Sequence, residues 1–133
     1  MSRKRGVGAV AGRVLVAEDQ DDMRSMLEIC LRSEGHDVIT ARDGLEALEI
    51  ARREAPDILI TNLEMPRLDG LGLMRRLRGE LHLNDIPVIV LSGASCPSSE
   101  TIVSEGAYAF LDKPVDLSLL SKCVKLALDG VSY

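Results

Sequence analysis

The chain has no tryptophan, one phenylalanine and two tyrosines among its 133 residues. So few aromatic rings leave almost nothing on which nucleic-acid bases could stack. A formal net charge of −5 argues against a general affinity for the phosphate backbone. No apolar run approaches the ~20 residues needed to cross a bilayer, so no membrane contact is expected. The N-terminal MSRKRGVGAVAG has a basic start but no long apolar segment. Residues 1–12 therefore read as a disordered lead, not a signal peptide. Cysteine is scarce too. Cys30, Cys96 and Cys123 are an odd number, far apart, with no C-x-x-C pair. That excludes a disulfide framework and points to reduced thiols in a cytoplasmic protein. Cys30 and Cys123 fall in helical patterns and read as packing residues, and Cys96 as a loop thiol. His36 and His82 each lack a second ligand at metal spacing and read as surface histidines. Two basic clusters, Arg3-Lys4-Arg5 and Arg75-Arg76 with Arg78, read as a solvated tail and a solvated helix face.

What is present is an alternating pattern. Apolar residues make up 46% of the chain, enough for one domain with its own core. Five short runs are nearly continuous in apolar, β-favouring residues. They are RVLVA (β1, 13–17), DVITA (β2, 37–41), DILIT (β3, 57–61), PVIVLS (β4, 87–92) and YAFLD (β5, 108–112). Such runs suit strands covered on both faces. Helical patterns lie between them. In α1 (21–33), Met23, Met26, Leu27, Cys30 and Leu31 make one stripe, with Gln20 or Asp21 as cap and Gly35 as stop. Residues 44–54 (α2), about 70–78 (α3) and 116–128 (α5) repeat the theme, with Asp69-Gly70 opening α3. CPSSETIVSEG (α4, 96–106) is polar apart from its leading Cys-Pro, Ile102 and Val103, so a short or mobile helix is expected. Strict alternation predicts an α/β fold, a three-layer (βα)5 sandwich with a parallel sheet. The flavodoxin-like strand order 2-1-3-4-5 is the layout expected, with its site at the β1/β3 switch point. Residues 13–129 form a single domain on this reading, with no output domain in the chain.

The strand ends then carry the chemistry. β1 ends in Ala17-Glu18-Asp19, β3 in Thr61-Asn62, β4 in Leu91-Ser92-Gly93 and β5 in Leu111-Asp112-Lys113. If β1 and β3 are neighbours, Glu18, Asp19, Asn62, Ser92 and Lys113 gather at one edge. Acidic and amide oxygens suit magnesium, while a lysine and a hydroxyl suit phosphoryl oxygens. Taken singly, each residue has a plainer reading: a helix cap, a loop hydroxyl, a surface lysine.

The pieces VLVAEDQ, PDILITNLEMPRLDG, PVIVLSG and GAYAFLDKPV resemble the receiver domain of two-component response regulators. The resemblance covers residues 13 to about 128. It implies that Glu18, Asp19 and Asn62 hold Mg2+, more weakly than an acid at position 62 would allow, with the backbone carbonyl of Glu64 as a further ligand. It implies that position 62 is the phosphoacceptor, that Ser92 turns toward the phosphoryl group and that Lys113 pairs with it. Phe110 matches the aromatic whose rotamer tracks activation, and Tyr108 stands at the start of β5, where it could serve the partner face. The α4-β5-α5 face is the usual surface for a downstream effector or a homodimer. A histidine kinase or phosphotransfer protein is the expected upstream partner.

This chain departs from the pattern at Asn62, where the family has an aspartate. An ionised carboxylate can attack phosphorus and form an acyl phosphate; a carboxamide carries no full negative charge on its oxygen. The resemblance therefore implies a stand-alone receiver, not an enzyme, whose phosphoacceptor position is blocked, either as a natural degenerate receiver or by a deliberate Asp→Asn replacement. The alternative is a phosphorylation-independent interaction module that acts through the α4-β5-α5 face. With Glu18 and Asp19 ionised and Lys113 charged, the amide leaves the cluster at −1, where a carboxylate would make it −2. The Asn62→Asp variant is expected to bind magnesium more tightly in a titration. Without metal, it is expected to unfold at a lower denaturant midpoint, because carboxylates then crowd one another. Equal or weaker binding, or a midpoint that holds or rises, contradicts this.

Overall fold

The computed structural model describes residues 11–93 and 99–130. The readings of Arg3-Lys4-Arg5, of Cys96 with Pro97, and of the lead as far as residue 10 lie outside those residues. The elements run β1 (Arg13–Ala17), α1 (Asp21–Ser33), β2 (Asp37–Ala41), α2 (Gly44–Glu54), β3 (Ile58–Asn62), α3 (Gly70–Arg78), β4 (Val88–Ser92), α4 (Ser99–Ser104), β5 (Ala109–Asp112) and α5 (Leu117–Leu128). The strands form one parallel sheet in the order β2-β1-β3-β4-β5. This is the flavodoxin-like layout expected from the alternation. The strand bounds differ slightly from the reading above. β3 starts one residue later, at Ile58, with the Asp57 carboxylate accepting the Arg13 N–H at 2.7 Å just before it. β3 then runs on to include Asn62.

Both faces of the sheet are covered. On one side Val14, Val16, Ile58, Ile60, Ile89 and Leu91 pack against Leu27 and Leu31 of α1 and Leu120, Cys123 and Val124 of α5. On the other, Leu15, Leu59, Val88 and Val90 meet Ala47 and Leu48 of α2, Leu73, Met74 and Leu77 of α3, and Ile102 of α4. Burying each Leu or Ile side chain of this core is worth about 2 kcal/mol relative to leaving it in water. The α1 stripe is narrower than its spacing suggested: Leu27 and Leu31 are buried, Cys30 is half-buried, and Met26 and Ile29 are exposed.

Other sequence readings need correction. Gly12 belongs to the fold and not to a loose lead, since its carbonyl accepts the Asp37 N–H. His36 is buried, not superficial: its Nδ1 accepts the Gly12 N–H at 3.3 Å. Arg78 is not part of a solvated face. Its half-buried guanidinium donates to the carbonyls of Asn84, Ile86 and Gly106 at 2.7–3.1 Å, tying the end of α3 to the turns on either side of it in space. Gln20 precedes α1 without a side-chain cap, and Asp21 pairs with Arg24.

Two glycines bring backbones together where side chains would not fit. A Cβ on Gly44 would lie 1.9 Å from the Leu68 carbonyl oxygen, and one on Gly70 would lie 2.6 Å from that of Asn62. The start of α2 therefore presses on the β3–α3 loop, and the start of α3 presses on the end of β3. Asp43 reinforces the first contact. Its carboxylate caps α2 by accepting the Glu46 N–H at 2.9 Å and pairs with Arg67 of that loop at 3.2 Å. The Glu46 N–H, and then the Arg67 guanidinium, hold the Asp43 carboxyl below its usual range against the opposing effect of burial. A carboxyl depressed in the folded state stabilises above its unfolded pKa of about 3.9, and the effect fades as pH falls through the folded value. Asp43→Ala should cost about 1 kcal/mol at neutral pH. The gap from the native chain should narrow in acid, as read by urea unfolding at both pH values. A gap that stays constant into acid would contradict the assignment.

Candidate functional site

The register of the sheet builds the site as a staircase. Ala17 pairs with Thr61, so Glu18 follows β1 beside Asn62 at the end of β3. Asn62 pairs with Leu91, which puts Ser92 one step farther along β4. Ser92 pairs with Asp112, which puts Lys113 just past β5, where its N–H donates to the Ser92 carbonyl at 2.8 Å. β2 lies on one side of β1 and β3 on the other. The connection after β1 leads to β2 on one side, and the connection after β2 crosses back over β1 to β3 on the other, so β1 and β3 flank the point where the winding reverses, the usual place for a site in such sheets.

Glu18 has no solvent exposure. A charge removed from water must be paired and hydrogen-bonded. Its Oε1 takes the Lys113 ammonium at 3.3 Å, and its Oε2 accepts the Gln20 N–H at 3.0 Å. The Arg24 guanidinium, itself largely buried, donates to the Glu18 backbone carbonyl at 3.0 Å and pairs with Asp21. Arg24 was not singled out in the sequence. Its placement three residues after Asp21, in the first turn of α1, is the signal that could have found it. The Arg24–Asp21 pair adds a positive and a negative charge together, so the formal balance of the site does not change.

Asn62 is 7% exposed, and its side chain is the hub. Its Nδ2 donates to the Glu64 carbonyl at 2.8 Å and to Asp19 Oδ1 at 3.1 Å, with Glu18 Oε2 at a marginal 3.5 Å. An amide nitrogen carries two hydrogens, so the two shorter contacts are its bonds and the third is a shared electrostatic contact. The orientation follows from chemistry. Turning the amide over would set Oδ1 against three acceptor oxygens with no proton between them.

The structure thus brings Glu18, Asp19, Asn62, Lys113 and the Glu64 carbonyl together. Ser92 is buried at the adjacent strand end, where its hydroxyl donates to the Gly93 carbonyl at 3.3 Å, not to the cluster. Phe110 is half-buried and packs on the α2/α3/α4 side of the sheet, while Tyr108 packs on the α1/α5 side. Burial, and then the neighbouring Cys123, push the Tyr108 phenol upward. The Lys113–Pro114 peptide is cis. The carboxylates and the carbonyl are the hard oxygens that magnesium takes. As arranged, however, their lone pairs are directed at the Asn62 N–H groups. A divalent ion that took Asp19 Oδ1 and the Glu64 carbonyl would compete with that amide for them.

The chain matches the response regulator receiver domain over residues 14–125. It is 41% identical over 120 residues to the probable transcriptional regulator ycf27 of Porphyridium aerugineum, covering 90% of this chain and 49% of that protein. It is 40% identical over 122 residues to the transcriptional regulatory protein PrrA of Mycobacterium tuberculosis, covering 91% of this chain and 52% of that one. The chain thus spans about half the length of these curated relatives. Among solved structures it resembles a putative response regulator from Chloroflexus aurantiacus, with a TM-score of 0.84, 31% identity and coverage of 90% and 98% of the two chains. It also resembles the chemotaxis response regulator CheY4 of Vibrio cholerae, with a TM-score of 0.81, 27% identity and coverage of 88% and 98%. With its fold, strand-end cluster and sequence in agreement, this chain belongs to the response regulator receiver domain family.

Proposed function

We propose that this receiver domain serves two-component signalling without forming an aspartyl phosphate, because position 62 holds an amide. The single observation that carries the reading is Asn62 at the C-terminal end of β3, at the centre of an otherwise intact cluster. Phosphoryl transfer from a phosphohistidine breaks a P–N bond and forms a P–O bond to an anionic carboxylate oxygen. The Asn62 oxygen carries no full charge, and its nitrogen lone pair is delocalised, so neither atom is a competent nucleophile. Lys113, positioned by Glu18, and Ser92 at the adjacent strand end are the groups that would bind phosphoryl oxygens. Mg2+ would add charge neutralisation on those oxygens when bound, held by Glu18, Asp19 and the Glu64 carbonyl. A strand-end nucleophile of the kind small phosphatases use is missing, which supports a signalling role over an enzymatic one.

Upstream, a histidine kinase or phosphotransfer protein fits the family. Downstream, a protein effector or a second copy would meet the α4-β5-α5 face. Exposed Val103 on α4 and Leu119 on α5 favour that face as a contact surface that works regardless of phosphate. The test is labelling with acetyl phosphate in the presence of magnesium, read by intact-mass spectrometry. The native chain stays unmodified, and Asn62→Asp gains one phosphoryl group. Phosphate found on residue 62 of the native chain would overturn the blocked site. An Asn62→Asp variant that folds yet stays unlabelled would overturn the reading of the remaining cluster as a receiver site.

A further inference from the structure

We propose that the Asn62 side-chain amide stands in for the divalent cation of its own site, closing Asp19, Glu18 and the Glu64 carbonyl around two N–H groups so that the site is set without metal. The inference rests on the receiver reading and deepens it. A receiver with a neutral residue at position 62 has merely lost charge. This one has placed a donor where a cation would otherwise sit. Nδ2 reaches a carboxylate on the β1–α1 turn at 3.1 Å and a backbone carbonyl of the β3–α3 loop at 2.8 Å. It therefore links the same two segments that a shared metal ligand set would link.

Glu18 is fully enclosed and Asn62 nearly so, while Asp19 and Glu64, whose oxygens the amide meets, belong to exposed residues at the rim, so the amide bridges the buried strand end to two exposed segments. Lys113 already neutralises Glu18 Oε1, and the Gln20 N–H takes Oε2. Of the oxygens nearest Asn62, Asp19 Oδ1 and the Glu64 carbonyl already accept its two N–H groups, so a cation sharing those two oxygens competes with the amide. The β3–α3 loop is held again beyond Glu64, by Arg67 on Asp43 and by the close approach of Gly44 to the Leu68 carbonyl. To admit a metal, the amide must withdraw both hydrogen bonds and rotate Oδ1 inward.

A deficit of charge alone and an occupied cradle predict different behaviour for Asn62→Ala, which is as neutral as the native residue. Charge alone makes the alanine variant bind magnesium no better than native, since a potential ligand oxygen has gone. An occupied cradle makes it bind roughly tenfold more tightly, because two amide hydrogen bonds no longer compete. The experiment is a magnesium titration of native chain and Asn62→Ala by calorimetry, with thermal midpoints in chelator and in saturating magnesium. The expected result is a native midpoint that does not move with magnesium and an alanine midpoint that rises. Native binding as tight as the variant's, or a native midpoint that rises with magnesium, overturns the proposal. A native midpoint that rises with magnesium overturns the proposal even if the variant fails to fold. Acetyl-phosphate labelling reports separately on the receiver reading, so the failure of one is not mistaken for failure of the other.

Discussion

Two hydrogen bonds from one amide nitrogen hold the functional edge of this domain together. Asn62 Nδ2 reaches Asp19 on one side and the Glu64 carbonyl on the other. The acidic turn after β1 and the loop after β3 both converge on it. Remove those N–H groups and an ionised carboxylate and a backbone carbonyl face each other with nothing positive between them. The Lys113 ammonium is directed at Glu18 Oε1, 3.3 Å away. The site thus divides its donors: the ammonium serves one acid and the amide serves the other.

The sheet makes this division possible. Parallel pairing of β1 with β3 sets Ala17 beside Thr61, and the next residue along each strand enters the site. A shift of one residue in that register would send the side chains of a strand to the opposite face. The surrounding packing forbids the shift, since both faces of β1, β3 and β4 are filled by buried aliphatic side chains. Gly70 and Gly44 then let α3 and the loop approach the strand end at distances that any Cβ would block. The core contributes free energy that tolerates the cost of enclosing the Glu18 charge, and the register decides where that cost falls.

Much of this was legible in the sequence, and the reasons differ by element. The strands could be read because doubly covered β-strands are near-continuous apolar runs. α4 was readable as short because only Ile102 and Val103 are apolar within it. The meeting of Glu18, Asp19, Asn62 and Lys113 followed from strand order, which also set Ser92 at the adjacent strand end but not the direction of its hydroxyl. The direction of the Asn62 amide was not legible. A sequence shows which atoms a carboxamide has but not which end faces a neighbour, and that depends on three oxygens from separate segments. The burial of His36 was hidden for a similar reason: its partner is the Gly12 N–H, a backbone group with no sequence signature. Arg78 looked like one more charge on a basic helix, yet its partners are backbone carbonyls, two in the turn that follows α3 and one at Gly106, far along the chain. Local pattern recovers elements and their order; long-range contacts to backbone atoms leave no pattern to read.

The fold is that of a receiver domain, and at the end of β3 the Asn62 amide donates to Asp19 and to the Glu64 carbonyl. The claim is tested most directly by hydrogen exchange of the Asn62 side-chain NH2 in the native chain, followed by nitrogen-15 NMR in chelator and again in magnesium. The account predicts two resolved amide protons that exchange slowly and hold their shifts when magnesium is added. An Asn62 NH2 pair that exchanges as fast as exposed asparagines do, or that shifts as the ion is titrated in, would contradict it.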